Sequence, residues 1–147
     1  MNDRKKPFAD ELRAQITRPA RPEAIPEITE FVCSYARDMA FGEKKIGDIG
    51  LALEETLGNI LRFACLQGTE GISVTCDAND MGALLVNIVD SGVPFNMLVM
   101  SAFPEAVGVT GQGDMPPTKA LKRAVKDIEY RRDGERKTNI LAWVIWK

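Results

Sequence analysis

The sequence predicts a two-layer α+β sandwich, with helices over one face of a mixed, mostly antiparallel sheet. Three observations carry this. Two stretches with apolar residues three and four apart follow one another early in the chain. Short apolar or alternating runs then group into a mid-chain pair and a terminal hairpin. The order reads β-α-α-β-β-loop-α-β-β, so strands and helices do not alternate as a doubly wound fold requires.

Residues 1–10 are polar and read as a flexible N-terminal arm, with one domain expected over 11–147. Glu11 to Thr17 alternate through Leu12, Ala14 and Ile16, a weak strand ended by the break Arg18-Pro-Ala-Arg-Pro22. A helix starts near Pro22 or Pro26, because proline is tolerated in a first turn. Its stripe is Ile25, Ile28, Val32, Tyr35 and Met39, and Gly42 ends it. The second helix runs from about Glu43 to Leu66, with Ile46, Ile49, Leu53, Leu57, Ile60 and Ala64 on its buried side. Ile72, Val74 and Cys76 alternate along a strand. Ala83 to Val89 is nearly all apolar, as a strand buried on both faces would be. Met97 to Phe103 suits a short helix, and Gly108 to Pro117 a flexible loop. A helix over Thr118 to Lys126 precedes a hairpin, with strands at Ile128 to Arg132 and Lys137 to Trp146 around Asp133-Gly134.

Composition narrows the function. The chain is 45% hydrophobic and 27% charged with a net charge of −2, so it is an ordinary globular sequence without the basic surplus that nucleic acid requires. No apolar run reaches the ~18 residues of a membrane span. The polar start lacks the apolar core of a signal peptide, so a cytoplasmic protein is expected. Cys33, Cys65 and Cys76 lie in apolar surroundings without CxxC spacing and read as core residues. There is no histidine, so proton chemistry falls to carboxylates and any metal needs oxygen ligands.

Three segments can carry chemistry. In the second helix Glu55 and Asn59 are four apart, on one face, with Arg62 three further on. A carboxylate, an amide and a guanidinium there suit hydroxyl activation, Mg2+ ligation and phosphate contact. The spacing alone also fits a solvated helix face. Asp90-Ser-Gly92-Val-Pro follows a buried strand; the carboxylate can accept from an exocyclic amine, and Gly92 lets a flat ring approach. A strand-ending turn uses the same residue types. Gly108-Val-Thr-Gly111-Gln-Gly113 can offer backbone N–H groups to phosphates, or be a surface loop; it is not a Walker A loop, because no GK[ST] follows.

In order, these segments resemble a known family. "LALEETLGNILRFA" looks like the N box of the histidine-kinase-type ATPase superfamily. "DSGVPFN" resembles its next box, in the form typical of bacterial anti-sigma-factor serine/threonine kinases. "KDIEYRRDGERKTNIL" is similar to the family's closing hairpin, and "ITRPARPEAIPEITEFVCSYARDMAFG" to its first strand and helix. The resemblance covers roughly residues 12–147 and implies the Bergerat α/β sandwich with ATP and Mg2+ as cofactors. It implies Glu55 as general base, Asn59 as Mg2+ ligand and Arg62 as a phosphate contact. Asp90 would recognise the adenine amine, with Gly92 near the ring and Thr138 supporting the pocket. Gly111 and Gly113 would belong to the phosphate-binding lid. The implied function is an anti-sigma-factor-type regulator that phosphorylates a small anti-sigma antagonist. Its partners would be a sigma factor, that antagonist, or both, and short family members are often homodimers.

Three positions depart from the family pattern. Phe63 replaces the usual His or Asn, Asn96 replaces the usual Asp, and Asp114-Met-Pro-Pro-Thr118 stands where a compact glycine run is expected. Two prolines remove two backbone donors there. The alternative function is therefore a pseudo-kinase that acts as a protein-binding module.

Overall fold

The computed structural model describes residues 13–100 and 116–147. Its elements are β1 (Ala14–Pro19), α1 (Ala24–Asp38), α2 (Glu43–Asn59) continued by a π-helical segment (Ile60–Ala64), β2 (Gly71–Ala78) and β3 (Leu84–Asp90). They continue with α3 (Met97–Met100), α4 (Lys119–Ala124), β4 (Asp127–Asp133) and β5 (Thr138–Ile145). The strands form one sheet in the order β1-β2-β3-β5-β4. All four pairings are antiparallel, at the antiparallel end of the expected mixed arrangement. The expected arm over 1–10, Gly111 and Gly113 lie outside the described residues, as does most of the expected glycine-rich loop.

One core joins the helices to one face of the sheet. Ile28 and Val32 of α1 and Ile49, Leu53 and Leu57 of α2 are buried with Val74, Cys76, Val86, Ile88 and Trp143 from the strands. Strand alternation sends the other residues to the opposite face. That second face corrects the expectation for β3. Its burial alternates and Asn87 is exposed, so β3 is covered on one side only. The outward apolar residues Leu85 and Val89 instead stand opposite Val144 and Ile140 of β5, as cross-strand pairs.

Two boundaries also move. The first strand does not stop at Thr17 but runs through Arg18 and Pro19. Proline is tolerated there because β1 is an edge strand, where no ladder hydrogen bond is lost on its open side. The first helix ends at Asp38, and Gly42 is the residue before α2 rather than the end of α1. The second helix keeps α geometry only to Asn59 and then widens by one residue per turn, with the Cys65 N–H reaching the Ile60 carbonyl at 2.8 Å.

Candidate functional site

Asp90 ends β3, on the face that carries the core, and is only 3% exposed. Antiparallel register places Asn139 of β5 directly beside it and Arg132 of β4 beside Asn139. Three donors reach the same Asp90 oxygen: Oδ1 accepts from the Gly92 N–H at 2.9 Å, Asn139 Nδ2 at 2.9 Å and the Cys65 thiol at 3.8 Å. Burial pushes the Asp90 carboxyl above its ordinary value, against the lowering pull of Asn139, Gly92, Cys65 and the Arg132 charge. Burial and the neighbouring Asp90 push the Cys65 thiol up to about 12, so it stays protonated and serves as a donor.

Gly92 has a different reason for being glycine than the one its sequence suggests. A Cβ there would fall 2.3 Å from the Ala64 carbonyl oxygen and 2.5 Å from its carbon. The Ala64 carbonyl accepts the Val93 N–H at 3.0 Å. The backbone that approaches Gly92 so closely is thus the end of the π-helical segment, not open space kept for a ring. The widened turn sets Ala64 against the Asp90 loop and brings Cys65 to Asp90. Phe63, in the same segment, stacks on Phe95 with ring centroids 5.3 Å apart.

Glu55 and Asn59 lie on one side of α2, as their spacing requires, and both reach the start of α4. Glu55 accepts the Leu121 N–H at 2.8 Å through Oε1 and the Ala120 N–H at 3.2 Å through Oε2. Thr118, at the helix start, makes no side-chain cap of its own, so Glu55 supplies that cap from another helix. Asn59, 3% exposed, donates to the Pro117 carbonyl at 2.7 Å and to Met97 Sδ at 3.6 Å. At the other end of α4, Lys45 Nζ donates to the Ala124 carbonyl at 3.3 Å. A carboxylate of α2 meets the amino end of α4 and an ammonium meets its carboxyl end, the signs a helix dipole favours.

The remaining expected residues are placed less as foreseen. Arg62 falls after the switch to π geometry, where a step of three no longer follows the α-helical face of Asn59. It is exposed, with its guanidinium 5.0 Å from the Phe63 ring centroid. Thr138 pairs with Asp133 and lies on the opposite face of β5 from Asp90; its neighbour Asn139 takes the position beside the carboxylate. Asn139, Arg132, Tyr130 and Cys65 were missed. The signal for Asn139 was the strand alternation itself, since Asn139 shares parity with Leu141, Trp143 and Ile145, and Thr138 does not.

The groups of α2 and the strand ends are joined by one segment. It leaves Asp90, is held at Phe95 by a 3.1 Å bond from its N–H to Asn139 Oδ1, and brings Met97 to Asn59. Among the described residues no cluster of His, Cys, Asp and Glu could hold a metal ion by itself, and no helix is long and apolar enough to cross a membrane.

Comparison with known proteins bears on the fold and the family. No curated protein sequence matches the chain. The fold is similar to that of a chain in a solved structure, the SiaB–SiaC complex from Pseudomonas aeruginosa, with a TM-score of 0.60 and 15% sequence identity over 98% of this chain and 96% of that one. The sequence model described as the histidine kinase-like ATPase domain matches residues 18–143. Covering most of the chain, both long helices and every described candidate residue, that match shows that the chain belongs to the histidine kinase-like ATPase domain family.

Proposed function

We propose that this chain binds an adenine nucleotide with Mg2+ at the Asp90 end of the sheet, and acts as a cytoplasmic regulator of the anti-sigma-factor serine/threonine kinase type. The observation that carries the reading is Asp90: a buried carboxylate held by three donors on Oδ1, at the end of a central strand, in a chain of this family. Oδ2 would accept the exocyclic amine of adenine. Asn59 would offer Mg2+ one neutral oxygen, the amide oxygen opposite the nitrogen that it directs at Pro117. Bound MgATP would supply the phosphoryl group and the cationic charge that offsets its phosphates. Glu55 would take the proton of the attacking hydroxyl. The acceptor would be a small anti-sigma antagonist and the regulated partner a sigma factor, with a homodimer as the assembly.

A carboxylate accepts from the amine of adenine but faces the carbonyl oxygen of guanine. An unpaired buried acceptor costs about 1–3 kcal/mol, roughly tenfold to a hundredfold in affinity. Calorimetric titration should therefore give tighter binding of ATP than of GTP; equal affinities would remove the reading.

A second reading has its own support. Both Glu55 oxygens are engaged by amides of α4, and the Asn59 nitrogen by Pro117. A base fixed in this way serves the protein scaffold, which fits a pseudo-kinase that holds a partner protein without phosphorylating it. Labelled γ-phosphate transfer to small antagonist-type proteins that bind the chain separates the two readings. Binding of both ATP and such a protein without transfer selects the second.

A further inference from the structure

The closing hairpin does more than complete the sheet beside Asp90. Asn139 is 2% exposed and uses its whole amide. Its Nδ2 donates to Asp90 Oδ1 at 2.9 Å and to the Val93 carbonyl at 2.8 Å. Its Oδ1 accepts from the Phe95 N–H at 3.1 Å, Arg132 Nη1 at 3.2 Å and the Tyr130 hydroxyl. The partners dictate the orientation. Reversing the amide would turn its N–H groups toward three donors and its oxygen toward a carboxylate and a carbonyl. Arg132 Nη1 also donates to the Gly92 carbonyl at 2.9 Å, so β4 and β5 together grip the loop at Gly92, Val93 and Phe95.

This arrangement divides the Asp90 carboxylate. All three described donors converge on Oδ1, which faces inward to Asn139, Gly92 and Cys65. We infer that Asn139, oriented by Tyr130 and Arg132, is the specificity-determining positioning residue of the site. It dedicates Oδ1 to the protein and thereby presents Oδ2 as the acceptor for a hydrogen-bond donor on the ligand's base. Asn139 acts through Asp90 and does not touch the ligand. The inference rests on the nucleotide-binding reading and names the residues that set its base selectivity.

The test compares ATP with purine riboside 5′-triphosphate, which lacks only the 6-amino group, by calorimetry with Mg2+ on the full chain. Wild type should bind ATP about tenfold tighter or more, the value of one hydrogen bond to a charged acceptor. In Asn139→Ala the ratio should fall to within about twofold of unity, while affinity for the purine analogue stays near that of wild type. A residue with a merely structural role would weaken both ligands alike. Tyr130→Phe removes one hydroxyl and should reduce the ratio severalfold; it decides the matter if Asn139→Ala melts below the assay temperature. Folded variants that keep the wild-type ratio, or lose both affinities in parallel, overturn the role of Asn139 and leave the proposed function standing. A wild type that binds neither ligand, or both equally, overturns the reading of Asp90 and this inference with it.

Discussion

On the proposed reading Asp90 answers to two requirements, since a carboxylate that would select a ligand must be partly desolvated, and desolvation opposes its charge. Its folded-state pKa lies above the ordinary carboxylate value, so the folded protein holds the proton more readily than the unfolded chain. Its contribution therefore favours folding below the ordinary carboxylate range and is lost as pH rises through the raised value. Asp90→Asn keeps the oxygen that accepts from Gly92 and Asn139 and removes the charge. It should melt higher than wild type near pH 7, with the gap narrowing as pH falls into the ordinary carboxylate range, while ATP affinity drops. Thermal melts over pH and calorimetry check the two halves; an Asp90→Asn protein that melts lower at neutral pH contradicts the first. The three thiols make a second expectation at this scale. Cys33, Cys65 and Cys76 are buried, and Cys65 and Cys76 are pushed up to about 12. A thiol reagent at pH 8 should label none of them in the folded protein and all of them in denaturant. The sequence made Glu55 and Asn59 visible through their four-residue spacing on one helical face, and Asp90 through its place between an apolar strand and Gly92. It hid Cys65, which reads as a small core residue until the fold sets its sulfur against a carboxylate.

The helices show how a polar residue of one element can complete another. Glu55 caps α4 across the layer, and replacing a capping acceptor by Ala costs about 0.5–2 kcal/mol. Glu55→Ala should lose stability of that order in urea titration, with faster amide exchange at Ala120 and Leu121. Glu54→Gln, at the exposed position beside it, should stay within about 0.5 kcal/mol of wild type. Two glycines make a sharper pair. A Cβ on Gly58 meets nothing within 4 Å, so Gly58→Ala inside α2 should stabilise by about 0.5–1 kcal/mol through helix propensity. The same change at Gly92 drives a methyl into the Ala64 carbonyl and should cost about 1–3 kcal/mol. Denaturation midpoints with the same sign for both variants would contradict the packing argument. The buried stripe of α2, from Ile46 to Ala64, was legible from apolar spacing, because every one of those positions faces the core. The change to π geometry at Ile60 was not, because it is set by where Ala64 and Cys65 must meet the Asp90 loop rather than by local propensity.

At the scale of the molecule, a ligand that binds only the folded state raises stability by mass action, by about 2.7 kcal/mol at a hundredfold excess over Kd. ATP with Mg2+ should raise the melting midpoint of wild type and not of Asp90→Asn. Mg2+ alone should raise neither midpoint, since Asn59 offers a single neutral oxygen; a midpoint raised by Mg2+ alone would point to a separate metal site. The sandwich itself was legible because alternation and three-four spacing report which side of each element is covered. The one-sided burial of β3 was not, because an apolar run reads alike whether its outer residues meet a second layer or, as Leu85 and Val89 do, their neighbours across the sheet. The strand order has a further consequence for how the protein is made. The strand that pairs with β3 on its site-bearing side is β5, and α3, α4 and β4 all come between them in the chain. During synthesis on the ribosome, β3 must wait with one edge unpaired while those elements emerge. Until then Asp90 has neither Asn139 nor the Arg132 grip on its loop, so the growing chain passes through a stage whose helices can already pack while the proposed base-selective site is not yet assembled.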